Sequence, residues 1–171
     1  MPNHIVSDET ERPEPTWTAP GAIQRKAILD RTKSIAIVGA SSNPSRASNF
    51  VLTYLGSSLC DYDLYPVNPR ETEILGHTCY PSLADLPVVP DMVDVFRKAD
   101  DCPGIAGEAV AIGVETLWLQ LGVVSEEAAQ IAVGAGLDVV MDRCTKIEHA
   151  RFAGGLHLAG FNTGVISSRR A

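Results

Sequence analysis

The chain has 171 residues, of which 45% are hydrophobic and 20% are charged, and its formal net charge is -7. This length suits one domain that can bury a core, with modest extensions. The acidic balance argues against a general affinity for nucleic acid or anionic membranes, and no apolar stretch approaches the roughly 20 residues that span a bilayer.

The start of the chain has no basic region followed by an apolar one, so no secretory signal is predicted. Residues 1–17 are polar, acidic and proline-bearing, and we expect a mobile arm there. The four cysteines stand at wide, irregular spacings without a CxxC pair, which favours neither a zinc site nor a disulfide scaffold. A cytoplasmic protein with reduced thiols is therefore expected.

The first half of the chain alternates helix and strand. A short helix is predicted over residues 20–31, and the apolar run 35–38 is predicted to be a strand buried on both faces. Gly39 ends this strand. Apolar residues at helical spacing then predict a helix over residues 45–57, and a second strand follows at residues 62–67.

The second half continues the alternation with three more predicted strands, at residues 92–96, 116–121 and 137–141. A helix over residues 102–112 separates the first two of these strands, and a helix capped by Ser125 separates the last two. A capping box at residues 145–148 predicts a final helix directly after the fifth strand.

Such an alternation predicts an α/β fold, a doubly wound Rossmann-like parallel sheet of about five strands in the order 3-2-1-4-5. This domain is expected to cover residues 18–152. The tail, residues 153–171, contains several glycines and no clear period, so its structure is left unassigned.

Basic side chains are scarce in the middle of the chain and follow the predicted strands. Between residues 33 and 146 there are fifteen acidic residues and only five basic ones: Arg46, Arg70, Arg97, Lys98 and Arg143. Each of the five comes after a strand end, and the carboxyl ends of parallel strands share the edge where ligands bind. Exposed loops often carry arginine, yet this distribution favours a site for a polyanionic small molecule.

The turn after the first strand, residues 39–44 (GASSNP), stands where NAD-binding proteins carry GxGxxG. A strand that runs through a turn into a helix N-terminus attracts phosphate groups. Only the first glycine is present here, and the second strand ends in Val67-Asn68-Pro69 instead of an acid that holds ribose hydroxyls. A phosphate site is predicted, while NAD and FAD fit poorly.

Trp118 and Gln120 lie two residues apart and therefore face the same side of the fourth strand. Trp118 belongs either to the core or to a ligand site. A buried Gln120 amide must find hydrogen-bond partners, and either a ligand or a neighbouring loop could supply them.

Six motifs together resemble the stand-alone CoA-binding domain family of small bacterial and archaeal proteins: VGASSNPSR, PVNPR, SLADLP, VDVFRKADD, LWLQLGV and VVMDRCTKIEH. They extend over about residues 28–152. The expected fold resembles the CoA-binding domain of the succinyl-CoA synthetase α-subunit. That subunit carries its phosphorylated histidine in a second domain, which does not follow here, so its chemistry is not expected.

The resemblance implies sites for each part of coenzyme A. The pyrophosphate would be held at Gly39, Ala40, Ser41 and the helix N-terminus near Arg46. The adenosine would lie against Val67, Asn68 and Pro69, with Arg70 near the 3′-phosphate. The path along the edge of the sheet would be lined by Phe96 and Arg97, and the pantetheine side by Gln120 and Gly122.

No catalytic residue and no metal site are predicted. Cys144 follows Arg143 and precedes the last helix, which would lower its pKa and favour the thiolate, but no resolving cysteine is evident and a partly buried structural thiol is the favoured interpretation. His77 and His149 have no acid and nucleophile at a workable spacing, and His157 belongs to the unassigned tail.

The sequence thus predicts a non-catalytic binding or regulatory module for coenzyme A or an acyl-CoA, in acyl-CoA metabolism. A homo-oligomer or a partner protein is left open, and neither nucleic acid nor membrane is expected as a partner. The first alternative is a component of an acyl-CoA ligase-like or thiol-handling enzyme that needs a partner chain. An NAD(P)-dependent oxidoreductase is a disfavoured second alternative.

Overall fold

The computed structural model describes residues 16–153. Five α-helices are present in this range: α1 (Ala22–Arg31), α2 (Ala47–Leu55), α3 (Cys102–Ile112), α4 (Glu126–Gly134) and α5 (Thr145–Ala153). Two short 3-10 helices lie at Leu83–Asp85 and Ala99–Asp101. The main sheet has five strands: β1 (Ser34–Val38), β2 (Asp63–Val67), β5 (Met92–Val95), β6 (Thr116–Leu119) and β7 (Asp138–Val140). A small antiparallel hairpin of β3 (Glu73–Ile74) and β4 (His77–Thr78) follows β2.

All neighbouring strands of the main sheet are parallel, and helices cover both of its faces. The predicted doubly wound, Rossmann-like α/β class is confirmed. Most of the predicted arm and all but the first residue of the predicted tail lie outside the described residues. Among residues 16–153, no helix combines the length and apolar character needed to cross a membrane.

The strand order is β2-β1-β5-β6-β7, so the predicted order 3-2-1-4-5 is wrong. In the numbering of the five predicted strands, the third strand pairs with the first instead of the second. The physical reason lies in β2, which contains Pro66. Proline has no N–H to donate and therefore suits an edge strand. Pro66 directs its carbonyl to the outer edge, where it accepts from Tyr80 N–H at 2.9 Å.

The third predicted strand, β5, is buried along its whole length, which suits the centre of the sheet. Alternate residues of the strands face two separate hydrophobic layers. One layer is closed by α3 and α4, with small side chains such as Ala106, Ala109 and Ala129 against the sheet. The other is closed by α1, α2 and α5, and includes the fully buried Trp118.

Two side chains lie differently from their sequence pattern. Phe50 belongs to the apolar residues at helical spacing that predicted α2, yet it is 61% exposed, and α2 instead buries Val51, Leu52 and Leu55. Trp17, at the end of the predicted arm, packs against the core, and its indole N–H donates to the Val139 carbonyl at 2.9 Å.

Candidate functional site

The order of the strands creates a crevice at the carboxyl ends of β1 and β5. The chain leaves β1 for α2 on one face of the sheet and leaves β5 for α3 on the opposite face. The two connections diverge at this point, which is where ligands bind in open α/β sheets. Phe96 N–H donates to the Val38 carbonyl at 2.8 Å, which holds the two strand ends together below the crevice.

Gly39 forms the base of the crevice, in the turn that follows β1. Its φ is +83°, a conformation that side chains other than glycine rarely adopt. A Cβ atom at this position would lie 2.6 Å from the Phe96 carbonyl oxygen and 3.0 Å from Arg97 Cδ. Gly39 N–H donates to the Val67 carbonyl at 3.0 Å. The first glycine of the turn is therefore required by both its backbone conformation and its surroundings.

Side-chain amides hold the carbonyl groups of the turn. Asn68 Nδ2 donates to the Ala40 carbonyl at 2.8 Å, and Asn49 Nδ2 donates to the Ser41 carbonyl at 2.9 Å. Ala40 is completely buried, and Ser41 is half-buried. Both carbonyl oxygen atoms therefore have partners within the protein, and backbone N–H groups are what the turn can offer to a ligand.

The N-terminus of α2 adjoins this turn and is open. Arg46 precedes the helix and provides no side-chain cap. Among residues 16–153, we find no hydrogen-bond partner for the backbone N–H groups of Ala47 and Ser48. Free N–H groups and the positive end of the helix dipole attract anions.

A carboxylate also lies on the turn. Ser42 N–H is 3.1 Å from both Oε1 and Oε2 of Glu71. Glu71 follows the last residue of β2, Val67, by four positions. No acid ends the second strand, and Glu71 was not predicted as a site residue because the loop, not the strand, carries it.

The five basic residues named from the sequence all follow carboxyl ends of parallel strands, and thus lie at the same edge of the sheet. Arg97 pairs with Asp101 at 2.9 Å. The other four, within the described range, form no ion pair: Arg46, Arg70, Lys98 and Arg143. Four basic side chains without an ion pair among the described residues thus lie along this edge of an acidic domain.

The remaining residues that the resemblance implied lie along the same edge. Val67 is buried at the end of β2, and Pro69 is exposed in the loop beyond it. Phe96 is half-buried directly after β5. Gly122 is exposed with φ of +83°, and its N–H donates to Asp142 Oδ1 at 2.7 Å.

Gln120 is 4% exposed and belongs to a buried polar network. Its Nε2 lies 2.7 Å from Asp94 Oδ1 and 2.8 Å from Thr145 Oγ1. The Thr145 hydroxyl in turn donates to Asp94 Oδ2 at 2.9 Å. The partners of the Gln120 amide nitrogen are thus neighbouring residues of the protein itself.

Asp94 is completely buried in β5, and sequence analysis did not single it out. Burial raises its pKa to about 7, although hydrogen bonds from Gln120, Thr145 and the Val95 backbone act in the opposite direction. An acid inside the apolar run MVDVF was the available signal, since a buried carboxyl group requires partners.

The capping box predicted at residues 145–148 is not formed. The Thr145 hydroxyl donates to Asp94, and the Glu148 carboxylate accepts from Arg25 Nε at 2.8 Å. Cys144 stands directly before α5 instead, where the backbone N–H groups of Ile147 and Lys146 act to lower the pKa of its thiol. Burial nevertheless raises the pKa of the Cys144 thiol, and the expected shift toward the thiolate is wrong.

Phe50 and Lys146 form a pair at the entrance to the crevice. Both belong to the first turns of their helices, α2 and α5, and Lys146 Nζ lies 3.4 Å from the centre of the Phe50 ring. This cation–π contact stabilises an otherwise exposed aromatic ring beside the open N-terminus of α2.

A family model described as a CoA binding domain matches residues 33–150. The chain belongs to this family. The match extends from the start of the first strand well into the last helix, and so includes the turn at Gly39 and every strand of the main sheet.

The relatives of this chain include short proteins that it matches almost completely and a much longer one that it matches in part. The uncharacterized protein YneT of Bacillus subtilis (strain 168) is 38% identical over 131 residues, which are 77% of this chain and 96% of YneT. A hypothetical protein from Pyrococcus horikoshii OT3 shares 38% identity with a TM-score of 0.74, and the alignment covers 82% of this chain and all of that one.

A third relative links the family to an enzyme. The ADP-forming acetate–CoA ligase II of Archaeoglobus fulgidus is 30% identical over 95 residues, which are 56% of this chain and 14% of the ligase. The CoA-binding domain protein therefore corresponds to a small part of that ligase.

The described histidines of the CoA-binding domain protein lie apart from the crevice. Tyr54 Oη lies 3.0 Å from Nδ1 of His149, beyond the first turn of α5, and burial lowers the pKa of the imidazole. Cys60 Sγ is 3.6 Å from the same nitrogen. His77 belongs to β4, and His157 lies outside the described residues. Within residues 16–153, no group of three potential metal ligands is present.

Proposed function

We propose that this protein binds coenzyme A or an acyl-CoA in the crevice between β1 and β5, as a non-catalytic binding or regulatory module. The pyrophosphate is assigned to the turn at Gly39, Ala40 and Ser41 and to the N-terminus of α2 near Arg46. One observation carries the proposal: an open helix N-terminus adjoins a turn that requires glycine, at the edge of the sheet that also carries four basic side chains without an ion pair among the described residues.

The adenosine is assigned to the loop after β2, against Val67, Asn68 and Pro69. Arg70 is exposed and forms no ion pair with the described residues, so its guanidinium is free to bind the 3′-phosphate. Asn68 connects the turn at Gly39 with the loop after β2. Its Nδ2 donates to the Ala40 carbonyl in the turn, and its Oδ1 accepts from Arg70 N–H in the loop at 2.9 Å.

The pantetheine is assigned to the path past Phe96 and Arg97 toward Gly122 and Gln120. The Gln120 amide nitrogen already donates to Asp94 and Thr145. The role we propose for Gln120 is therefore to fix the start of α5 beside the crevice, while Phe96 provides apolar contact area.

No described residue is proposed as a catalyst. Burial raises the pKa of the Cys144 thiol, which keeps it protonated at neutral pH, and His149 lies away from the crevice. Cytoplasmic localisation and a role in acyl-CoA metabolism are part of the same proposal.

A second candidate function follows from the acetate–CoA ligase of Archaeoglobus fulgidus, of which this chain matches only 14%. In that case the chain supplies the CoA site of a ligase-like enzyme, and a separate chain supplies the catalytic residues. Purification of the tagged protein from its native cells distinguishes the two candidates. The second candidate requires a stoichiometric partner chain, and the purified complex should consume CoA only when a carboxylic acid substrate is added.

Thermal unfolding with separate ligands tests the proposal. CoA at about a hundred times its Kd adds roughly 2.7 kcal/mol of stability, which raises the Tm by roughly 5–11 °C for a domain of this size. NAD and NADP at the same concentration should give no shift. A shift with NAD and none with CoA would overturn the assignment.

A further inference from the structure

Glu71 places a carboxylate on the turn to which the ligand's pyrophosphate is assigned. Both of its carboxylate oxygen atoms lie 3.1 Å from Ser42 N. We infer that Glu71 is an internal competitor of the ligand, which must leave this N–H group before a phosphate oxygen can bind there. This inference rests on the proposed function and concerns the regulation of the same site.

The loop that carries Glu71 is tied to the turn at its base. Asn68 Nδ2 donates to the Ala40 carbonyl at 2.8 Å, and the Asn68 carbonyl accepts from Glu71 N–H at 3.4 Å. These contacts keep the Glu71 backbone beside the turn. Displacement of the carboxylate therefore needs only a rotation of the side chain, and no movement of the loop.

Within residues 16–153, no ion pair involves Glu71, whereas the buried Glu148 pairs with Arg25 at 2.8 Å. The Glu71 carboxylate is half-buried and bonds to a backbone donor, as a bound anion would. A phosphate at the same turn would be repelled by this charge until the side chain rotates toward solvent.

The consequence is a lowered affinity of the free protein for anions. The apparent Kd of a ligand rises in inverse proportion to the fraction of molecules in which its site is free. Because the Glu71 carboxylate bonds to the Ser42 N–H group in the free protein, only molecules in which the side chain has rotated away can bind a phosphate oxygen there. Removal of the carboxylate should therefore tighten CoA binding.

Calorimetric titration of CoA into the parent protein, Glu71→Gln and Glu71→Ala tests the inference. Both variants should bind CoA about three- to tenfold more tightly than the parent. Glu73→Gln is the matched control, because Glu73 is exposed, lies two residues further on and changes the net charge equally. Its Kd should stay within about twofold of the parent value. Unchanged binding in both Glu71 variants contradicts the inference, and so does weaker binding, which would make Glu71 a ligand contact.

A second titration separates this inference from the proposed function. Inorganic pyrophosphate is added to 15N-labelled parent and Glu71→Gln protein, and the Ser42 amide resonance is followed by NMR. If CoA binds to neither protein, the proposed function fails, yet tighter pyrophosphate binding in Glu71→Gln still supports competition at the turn. Equal pyrophosphate affinity, or no response at Ser42 in either protein, overturns the role of Glu71.

Discussion

The two ends of the sheet differ in how their charged groups are paired. At the amino ends of the strands, Arg31 pairs with both Asp138 and Glu115, and Asp91 accepts from the backbone N–H groups of Lys33 and Ser34. At the carboxyl ends, within the described residues, four of five basic side chains form no ion pair, and α2 begins without a side-chain cap. Arg31 and Asp91 at the amino ends thus have partners within the protein, whereas Arg46, Arg70, Lys98 and Arg143 at the carboxyl ends have no ion-pair partner among the described residues.

Two aspartates at opposite ends of β5 show the same contrast in their pKa values. Burial raises the pKa of Asp91, but hydrogen bonds from Lys33 and Ser34 outweigh it and leave the pKa below its usual value. Burial dominates at Asp94 and raises its pKa to about 7, because amide and hydroxyl donors compensate only part of the lost hydration. Asp94 should therefore make the folded protein less stable as the pH rises, and Asp91 should make it less stable as the pH falls.

The largest effect is expected for Asp94→Asn. Between about pH 4 and pH 7 the folded parent binds a proton at Asp94 that the unfolded chain has released, so its stability falls as the pH rises. We therefore compare the free energy of unfolding of Asp94→Asn with that of the parent, both measured in urea. The difference, variant minus parent, should increase by roughly 3–4 kcal/mol between pH 4 and pH 7.

Asp91→Asn is the control at the other end of the strand. The pKa of Asp91 is lowered, so its stabilisation is present at neutral pH and is lost on acidification. Asp91→Asn should therefore be less stable than the parent at pH 7, with a difference that shrinks below about pH 4. Parallel pH profiles of the two variants would contradict this contrast.

A smaller effect on stability is expected for Gly39→Ala, which should also abolish CoA binding. The new Cβ meets the Phe96 carbonyl oxygen at 2.6 Å, and φ is +83°. Strain of this kind costs about 2 kcal/mol or more. Gly122→Ala isolates the backbone contribution, because its φ is also +83° but no atom lies within 4 Å of the new Cβ. Equal loss of stability in both variants, measured by urea unfolding, would remove the steric argument for Gly39.

The smallest effects are expected for single arginines, and they sharpen the comparison of the two ends. Arg46→Ala and Arg70→Ala should each weaken CoA binding about tenfold, or about 1.4 kcal/mol, while the unfolding midpoint is unchanged. Arg31→Ala should do the reverse, because Arg31 pairs with Asp138 and Glu115 at the amino ends. It should lower stability by up to about 1 kcal/mol and leave CoA affinity unchanged. Calorimetry and urea unfolding of the same samples check both halves of this prediction.

The periodicity of the sequence was sufficient to predict the helices, the strands and the place of the turn at Gly39. These features depend on neighbouring residues, whose spacing reflects the period of a helix or the burial of a strand. The common edge of the basic residues could also be predicted, because parallel strands end on the same side. The edge position of β2 could have been predicted too, since Pro66 lies within it.

Contacts between distant residues were decided by the tertiary structure alone. Glu71 reaches Ser42 across 29 residues, and Gln120 reaches Asp94 across 26. Thr145 and Glu148 have the spacing of a capping box, but Asp94 and Arg25 take their side chains instead. Local patterns state which groups need partners. Which partner each group finds depends on the packing of the strands and helices, because a buried charge binds whatever complementary group the fold places beside it.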